Sequence, residues 1–94
     1  MQKLHRLKGI LWIPHAVMDN PRLSRSDIMV YSALARHMDQ ETKLSCPAIT
    51  TLRRDSRLGQ SSVYRSLENL ETEGLIEYHR GRGRNNHYLL LDPR

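Results

Sequence analysis

The sequence predicts a small α+β domain, mainly α, in which three helices precede a C-terminal β-hairpin. Apolar residues recur at helical spacing in three separate segments, which indicates three amphipathic helices. Two runs rich in Tyr, Ile and Leu then flank a glycine- and arginine-rich stretch, as in a hairpin. The 94 residues are enough for one domain with a modest margin of stability.

The first predicted helix begins after Ser24, because Ser24 and Asp27 have the spacing of a capping box. From Ile28 onward the apolar residues recur on one face, with Val30 at its edge. This predicted inner face consists of Ile28, Tyr31, Leu34, Ala35 and Met38. The polar residues that fall mostly opposite are Arg25, Ser32, Arg36 and His37.

The second predicted helix is short and follows a polar loop. Ser45 or Cys46 could cap it, and Pro47 fits its first turn, where a missing N–H costs nothing. Its inner face is expected to hold Ala48, Ile49 and Leu52. The helix should end near Arg57, because Gly59 and a new apolar period follow within a few residues.

The third predicted helix covers about residues 60–73. Its buried face consists of Val63, Leu67 and Leu70, and Gly74 lies where a left-handed C-terminal cap favours a residue without Cβ. Helical geometry then turns a polar face outward. That outward face consists of Ser61, Tyr64, Arg65, Glu68 and Asn69, with Gln60 and Ser62 at its start.

The stretch RGRGRNN, residues 80–86, is predicted to form the tip of the hairpin, with a flexible basic linker as the alternative. Gly81 and Gly83 provide the backbone freedom that such a tip requires. In the flanking strands, Tyr78 and Tyr88 are expected to pack in the core rather than to stack on bases. The strand register also predicts that His79 and His87 face each other.

The segment TLRRDSRLGQSSVYRSLENLETEGLI, residues 51–76, resembles the winged helix-turn-helix family in its order of helix, turn and recognition helix. The continuation EYHRGRGRNNHYLLL resembles the wing of that family, and LSRSDIMVYSALARHMD resembles its first helix. The apolar run near the N-terminus predicts an arm with a short apolar strand at residues 1–22, and the resemblance implies a winged helix domain at residues 23–94. The lead-in Trp12-Ile13-Pro14 is similar to phage and plasmid replication proteins, while MarR-like regulators share the core pattern.

Three positions depart from the family pattern. Arg53 replaces a small residue early in the second helix, Arg57 replaces the glycine of the turn, and Gly59 replaces the Ser or Thr that caps the recognition helix. Glycine is an acceptable N-cap. Arg57 requires a left-handed or otherwise altered turn.

The resemblance implies non-catalytic binding of double-stranded DNA, in replication initiation of a plasmid or phage or in transcriptional regulation. The third helix would enter the major groove, where Arg65 could pair bidentately with guanine and Gln60 with adenine. The wing, residues 80–87, would contact the backbone or the minor groove. The predicted DNA-binding residues are Arg57, Gln60, Ser61, Ser62, Tyr64, Arg65, Arg80, Arg82, Arg84, Asn85 and Asn86.

Not every charge fits this interpretation. Glu68 would repel phosphate unless it accepts from a cytosine amine or pairs with Arg65 or Arg84, so the C-terminal half of the helix is expected to lie outside the groove. For Arg25, Arg36 and Lys43, solvation alone explains the charge better than binding does.

The composition favours an anionic partner, because fifteen Lys and Arg against ten Asp and Glu give a net charge of +5. Cys46 is the only cysteine, which fits a reducing cytosol and a cytoplasmic location. The apolar run GILWIP, residues 9–14, is read as a strand or a packed arm, since it is too short for a membrane span.

No phosphate-binding glycine loop, activated nucleophile or inward pair of carboxylates is evident, so neither catalysis nor a small-molecule substrate is expected. The five histidines have no ligand spacing, so no metal or cofactor is expected. The alternative function is a protein-interaction adaptor that uses the arm and the first helix. A homodimer is a further expectation, with the Trp12 arm as its seam.

Overall fold

The computed structural model describes residues 14–81 and 86–91 of the chain. The elements of the described part are, in chain order, α1 His15–Met18, α2 Arg25–Arg36, β1 Leu44–Ser45, α3 Ile49–Ser56, α4 Gln60–Thr72, β2 Ile76–His79 and β3 His87–Leu90. The mainly helical α+β architecture is confirmed, and it is consistent with a winged helix-turn-helix. The apolar arm up to Ile13 and the wing residues Arg82, Gly83, Arg84 and Asn85 lie outside the described residues.

Helix α2 begins with the predicted capping box. The backbone N–H of Asp27 donates to Ser24 Oγ at 3.2 Å, and the backbone N–H of Ser24 donates to Asp27 Oδ2 at 2.9 Å. The prediction that Val30 lies at the edge of the apolar face is wrong, because Val30 is completely buried. Helix α2 packs against both α3 and α4, so it buries a broader face than a single helical stripe.

The predicted start of the second helix is also wrong. Helix α3 begins at Ile49 after an N-cap at Ala48, which has no side-chain capping bond and is exposed rather than turned inward. Ser45 lies instead in strand β1, where its buried hydroxyl donates to the carbonyl oxygen of Leu34 at 2.7 Å. Pro47 is buried and precedes the cap, so it lies outside the first turn of α3.

The turn between α3 and α4 contains a left-handed residue, the first of the two possibilities that the sequence leaves open for Arg57. Arg57 caps α3 with φ 59° and ψ 34°. Gly59 then serves as the N-cap of α4, as predicted, with an extended backbone. At the other end of α4, Gly74 has φ 75°, which confirms the predicted left-handed glycine.

The three strands form an antiparallel sheet in the order β1-β3-β2. The predicted hairpin is confirmed, with Tyr78 opposite Tyr88 and His79 opposite His87. Strand β1 was not predicted, because its two residues are too few to show an alternating pattern. Because β1 pairs with β3, the hairpin is part of a three-stranded sheet.

The core lies between the three longer helices and one face of the sheet. Its completely buried large side chains include Leu34 of α2, Leu52 of α3, Leu67 of α4 and Tyr88 of β3. Val17 of the short helix α1 is also completely buried. No helix in the described part of the chain is long and apolar enough to cross a membrane.

Candidate nucleic-acid interface

The outward face of α4 is polar and open to solvent. Val63, Leu67 and Leu70 are completely buried, as predicted, so the residues on the opposite side of the helix face outward. Ser62 is half-buried. The exposed residues of this face are Gln60, Ser61, Tyr64, Arg65 and Glu68. The structure thus brings five of the predicted DNA-binding residues, Gln60, Ser61, Ser62, Tyr64 and Arg65, onto one helix.

Asn69 does not belong to this outward face, contrary to the prediction. Its side chain is half-buried, and its Nδ2 donates to Asp27 Oδ2 at 2.5 Å and to the carbonyl oxygen of Arg22 at 3.3 Å. The amide of Asn69 is therefore used to join α4 to the start of α2. The open face of α4 is correspondingly narrower than the sequence indicates.

Three exposed arginines line the segment from α3 to α4 without an acidic partner among the described residues. They are Arg53 of α3, Arg57 of the turn and Arg65 of α4. Arg54 differs, because its Nε lies 3.3 Å from Asp55 Oδ1. The charges of Arg53, Arg57 and Arg65 are thus available to an external anion.

Arg80, at the base of the wing, has two partners within the chain. Its guanidinium carbon lies 4.0 Å from the centroid of the Tyr78 ring, within the range of a cation–π interaction. Its Nη2 lies 3.8 Å from Oε2 of Glu68 on α4. The sequence indicates Arg65 and Arg84 as candidate partners of Glu68. In the structure Arg80 lies beside Glu68, Arg65 has no acidic partner among the described residues, and Arg84 lies outside them.

Asn86 closes the base of the wing from the other strand. Its Oδ1 accepts from the backbone N–H of Gly81 at 3.1 Å, and its Nδ2 donates to the Tyr88 hydroxyl at 3.2 Å. Burial raises the pKa of Tyr88 to about 12, while the hydrogen bond with Asn86 acts in the opposite direction. The structure therefore gives Asn86 a role in shaping the hairpin, in addition to the DNA contact predicted for it.

A shallow cleft of about 360 Å³ separates α4 from the wing. Its polar lining combines Glu68, Arg80 and Asn86, and its aromatic lining combines Tyr64 and Tyr78. Tyr64, Arg80 and Asn86 are thus brought together, whereas Gln60 and Ser61 lie at the start of α4. Arg57 lies in the turn that precedes that start.

A family model for a helix-turn-helix domain matches residues 22–76, which is more than half of the chain. The chain belongs to this helix-turn-helix domain family. A domain of this kind suggests DNA binding and is typically non-enzymatic. No curated protein and no solved structure matched the chain.

The helix-turn-helix consists of α3, the turn at Arg57 and α4. Because the family match ends at Ile76, the first residue of β2, the wing extends beyond the matched segment. The family match therefore gives no support for a role of the wing in binding, and such a role rests on the geometry of the wing itself. Within the described residues, that geometry is the base formed by Arg80, Gly81 and Asn86.

Proposed function

We propose that this helix-turn-helix domain binds double-stranded DNA without catalysing a reaction, with α4 in the major groove and the wing on the backbone or in the minor groove. The observation behind the proposal is the exposed polar face of α4 beside the unpaired Arg57 and Arg65. An anionic ligand would supply these two arginines with the partners that the described chain lacks.

As an α-helix with an exposed polar face, α4 has a form that the major groove of DNA can admit. The major groove of B-DNA is about 12 Å wide and admits an α-helix, and the N-terminal part of a recognition helix usually reaches the base edges. Gln60 and Arg65 would then read bases, while Ser61, Ser62 and Tyr64 would contact phosphates. Arg57 would contact a phosphate beside the groove.

The wing would supply electrostatic attraction that does not depend on sequence. Arg80 stands at its base, and the sequence places Arg82, Arg84 and Asn85 immediately beyond, outside the described residues. Arginines of this spacing could straddle a phosphate backbone or enter a narrow minor groove. Asn86 would then hold the hairpin in shape while the arginines bind.

The biological process that we propose is replication initiation of a plasmid or phage, or transcriptional regulation. Its support is the resemblance of the lead-in Trp12-Ile13-Pro14 to replication proteins, and the core pattern that regulators share. We also propose that the protein binds as a homodimer, because two half-sites raise specificity over a single small module.

The test measures binding to random duplexes across a salt series by fluorescence anisotropy. Affinity should fall steeply with salt, with a logarithmic slope of about −0.9 for each phosphate that is contacted. The double variant Arg82→Glu and Arg84→Glu should lose most of the affinity. Arg25→Glu with Arg36→Glu on α2 makes the same change in net charge and should retain more of it.

A salt response that is flat, or an equal loss in both double variants, would contradict the proposed binding surface. If the wing variant bound duplexes normally but lost association with a protein partner, the domain would be an interaction adaptor instead. The two functions therefore differ in which binding event responds to the wing arginines.

A further inference from the structure

We infer that Glu68 is a positioning residue that holds Arg80 against α4 and thereby limits the affinity of the domain for unrelated DNA. The inference rests on the proposed DNA binding and deepens it. It assigns a function to Glu68, an acidic side chain on the exposed face of α4 that otherwise opposes phosphate.

Arg80 is held from two sides. The Tyr78 ring lies 4.0 Å from its guanidinium carbon, and Glu68 Oε2 lies 3.8 Å from its Nη2. Tyr78 is buried in the hairpin, and Glu68 projects from α4, so the two contacts place Arg80 between the wing and the helix. The guanidinium thus lies in the cleft where a phosphate backbone would pass between α4 and the wing.

The ion pair between Arg80 and Glu68 is weak enough to be broken when DNA binds. The Arg80 side chain is 56 % exposed and that of Glu68 is 68 % exposed, so water screens the pair. Exposed ion pairs of this kind contribute little to stability. A phosphate that is correctly placed by the other contacts of α4 can therefore replace Glu68 as the partner of Arg80, whereas a loosely bound duplex gains less from the exchange.

Two other acidic residues near the wing, Glu71 and Glu77, contact groups other than Arg80. Glu71 Oε2 accepts from the backbone N–H of Tyr78 at 3.3 Å, and so covers the free edge of β2. Glu77 lies on the opposite face of β2 from Tyr78, where its Oε1 is 3.1 Å from His79 Nε2. Glu77 is thus a control residue that has the same charge as Glu68 and no contact with Arg80.

The experiment compares Glu68→Gln, Arg80→Gln, the double variant and Glu77→Gln with the unaltered protein on random duplexes across a salt series. Glu68→Gln should tighten binding several-fold at low salt and steepen the logarithmic salt slope by about 0.9, because Arg80 gains a phosphate. In the Arg80→Gln background, Glu68→Gln should no longer change the slope. Glu77→Gln should change the affinity less and leave the slope unaltered.

Each result has a defined meaning. A change in slope that depends on Arg80 supports the inference, since a purely structural role of Glu68 would not alter the number of phosphates contacted. An equal effect of Glu68→Gln and Glu77→Gln, or an effect that persists without Arg80, overturns the inference and leaves DNA binding intact. If neither the unaltered protein nor any variant binds duplexes, the proposed function fails and this inference fails with it.

Discussion

The side-chain amide of Asn69 donates a hydrogen bond to the carboxylate of Asp27 at 2.5 Å, and so joins α4 to the capping box of α2. Asp27 is buried, and the same carboxylate oxygen also accepts from the backbone N–H of Ser24. One carboxylate thus caps the N-terminus of α2 and also accepts a hydrogen bond from α4, the proposed recognition helix. The orientation of α4 therefore depends on the beginning of a helix that lies earlier in the chain.

We expect Asn69→Ala to destabilise the fold by about 1.5–3 kcal/mol, the range for a hydrogen bond to a charged group. The substitution leaves the buried carboxylate of Asp27 with one partner fewer. Urea denaturation followed by circular dichroism measures the loss. Thr72→Ala, at an exposed position of the same helix, is the control and should change the stability little. Equal stability of the two variants would show that the bond to Asp27 contributes nothing.

Arg57→Gly should raise the stability of the fold and lower its affinity for duplex DNA. Arg57 has φ 59°, where a side chain costs about 1 kcal/mol and glycine costs little. The variant should therefore unfold at a higher urea concentration and bind duplex DNA more weakly, because it loses a phosphate contact. Arg57→Ala should show the weaker binding without the gain in stability. Unchanged duplex affinity in both variants would remove Arg57 from the proposed interface.

Arg65→Ala tests the base contact proposed for α4. Loss of a bidentate contact to guanine costs about 1–3 kcal/mol at a cognate site and relaxes the preference for that base. The measurement is selection of bound sequences from a random duplex pool, followed by affinities for the selected and the random duplexes. Arg25→Ala removes the same charge from α2 and should leave the selected sequence unaltered. A uniform loss on all duplexes would reassign Arg65 to a phosphate.

The elements that the sequence predicts well are those whose signal is local. The apolar periods of α2 and α4 are long enough to identify both helices, and the Ser24 capping box and Gly74 mark a beginning and an end. The start of α3 was mispredicted because Ser45 looks like a cap. Its hydroxyl instead satisfies the carbonyl of Leu34, a partner eleven residues earlier that only the folded chain provides.

The proposed site is predictable to a similar degree. The outward face of α4 follows from helical geometry, apart from Asn69, whose partner Asp27 is forty-two residues distant in sequence. The contact between Glu68 and Arg80 depends on how the hairpin packs against α4, which no periodicity of the sequence encodes. Local patterns thus identified which residues face outward, and tertiary contacts determined which of them are already paired.

The contact between α2 and α3 should make stability sensitive to acid. A hydrogen bond with His37 Nε2, at 2.8 Å, holds the pKa of Asp55 below its ordinary value of 3.8. Because this pKa is depressed in the folded state, the stabilisation is present above the ordinary value and is lost as the pH falls through the folded value. Asp55→Asn should therefore be less stable at neutral pH and show a flatter decline below about pH 4 in urea denaturation. Asp19→Asn, at an exposed turn, should keep the decline of the unaltered protein.

Tyr88 should make the hairpin sensitive to alkali. Its hydroxyl is buried beside Asn86, and burial raises the pKa of Tyr88 from 10.0 to about 12. A raised pKa contributes stability below the unfolded value, and that contribution is lost as the pH rises through the folded value. A shift of this size corresponds to about 3 kcal/mol, lost between about pH 10 and pH 12. Urea denaturation across that range measures it.

Tyr88→Phe is the matching variant, because it keeps the ring against Tyr78, 5.2 Å between centroids, and removes the ionisable hydroxyl. It should lose less stability than the unaltered protein over the alkaline range. Some dependence should remain, since burial also raises the pKa of Tyr78. Identical alkaline profiles for the variant and the unaltered protein would show that ionisation of the Tyr88 hydroxyl does not cause the loss of stability.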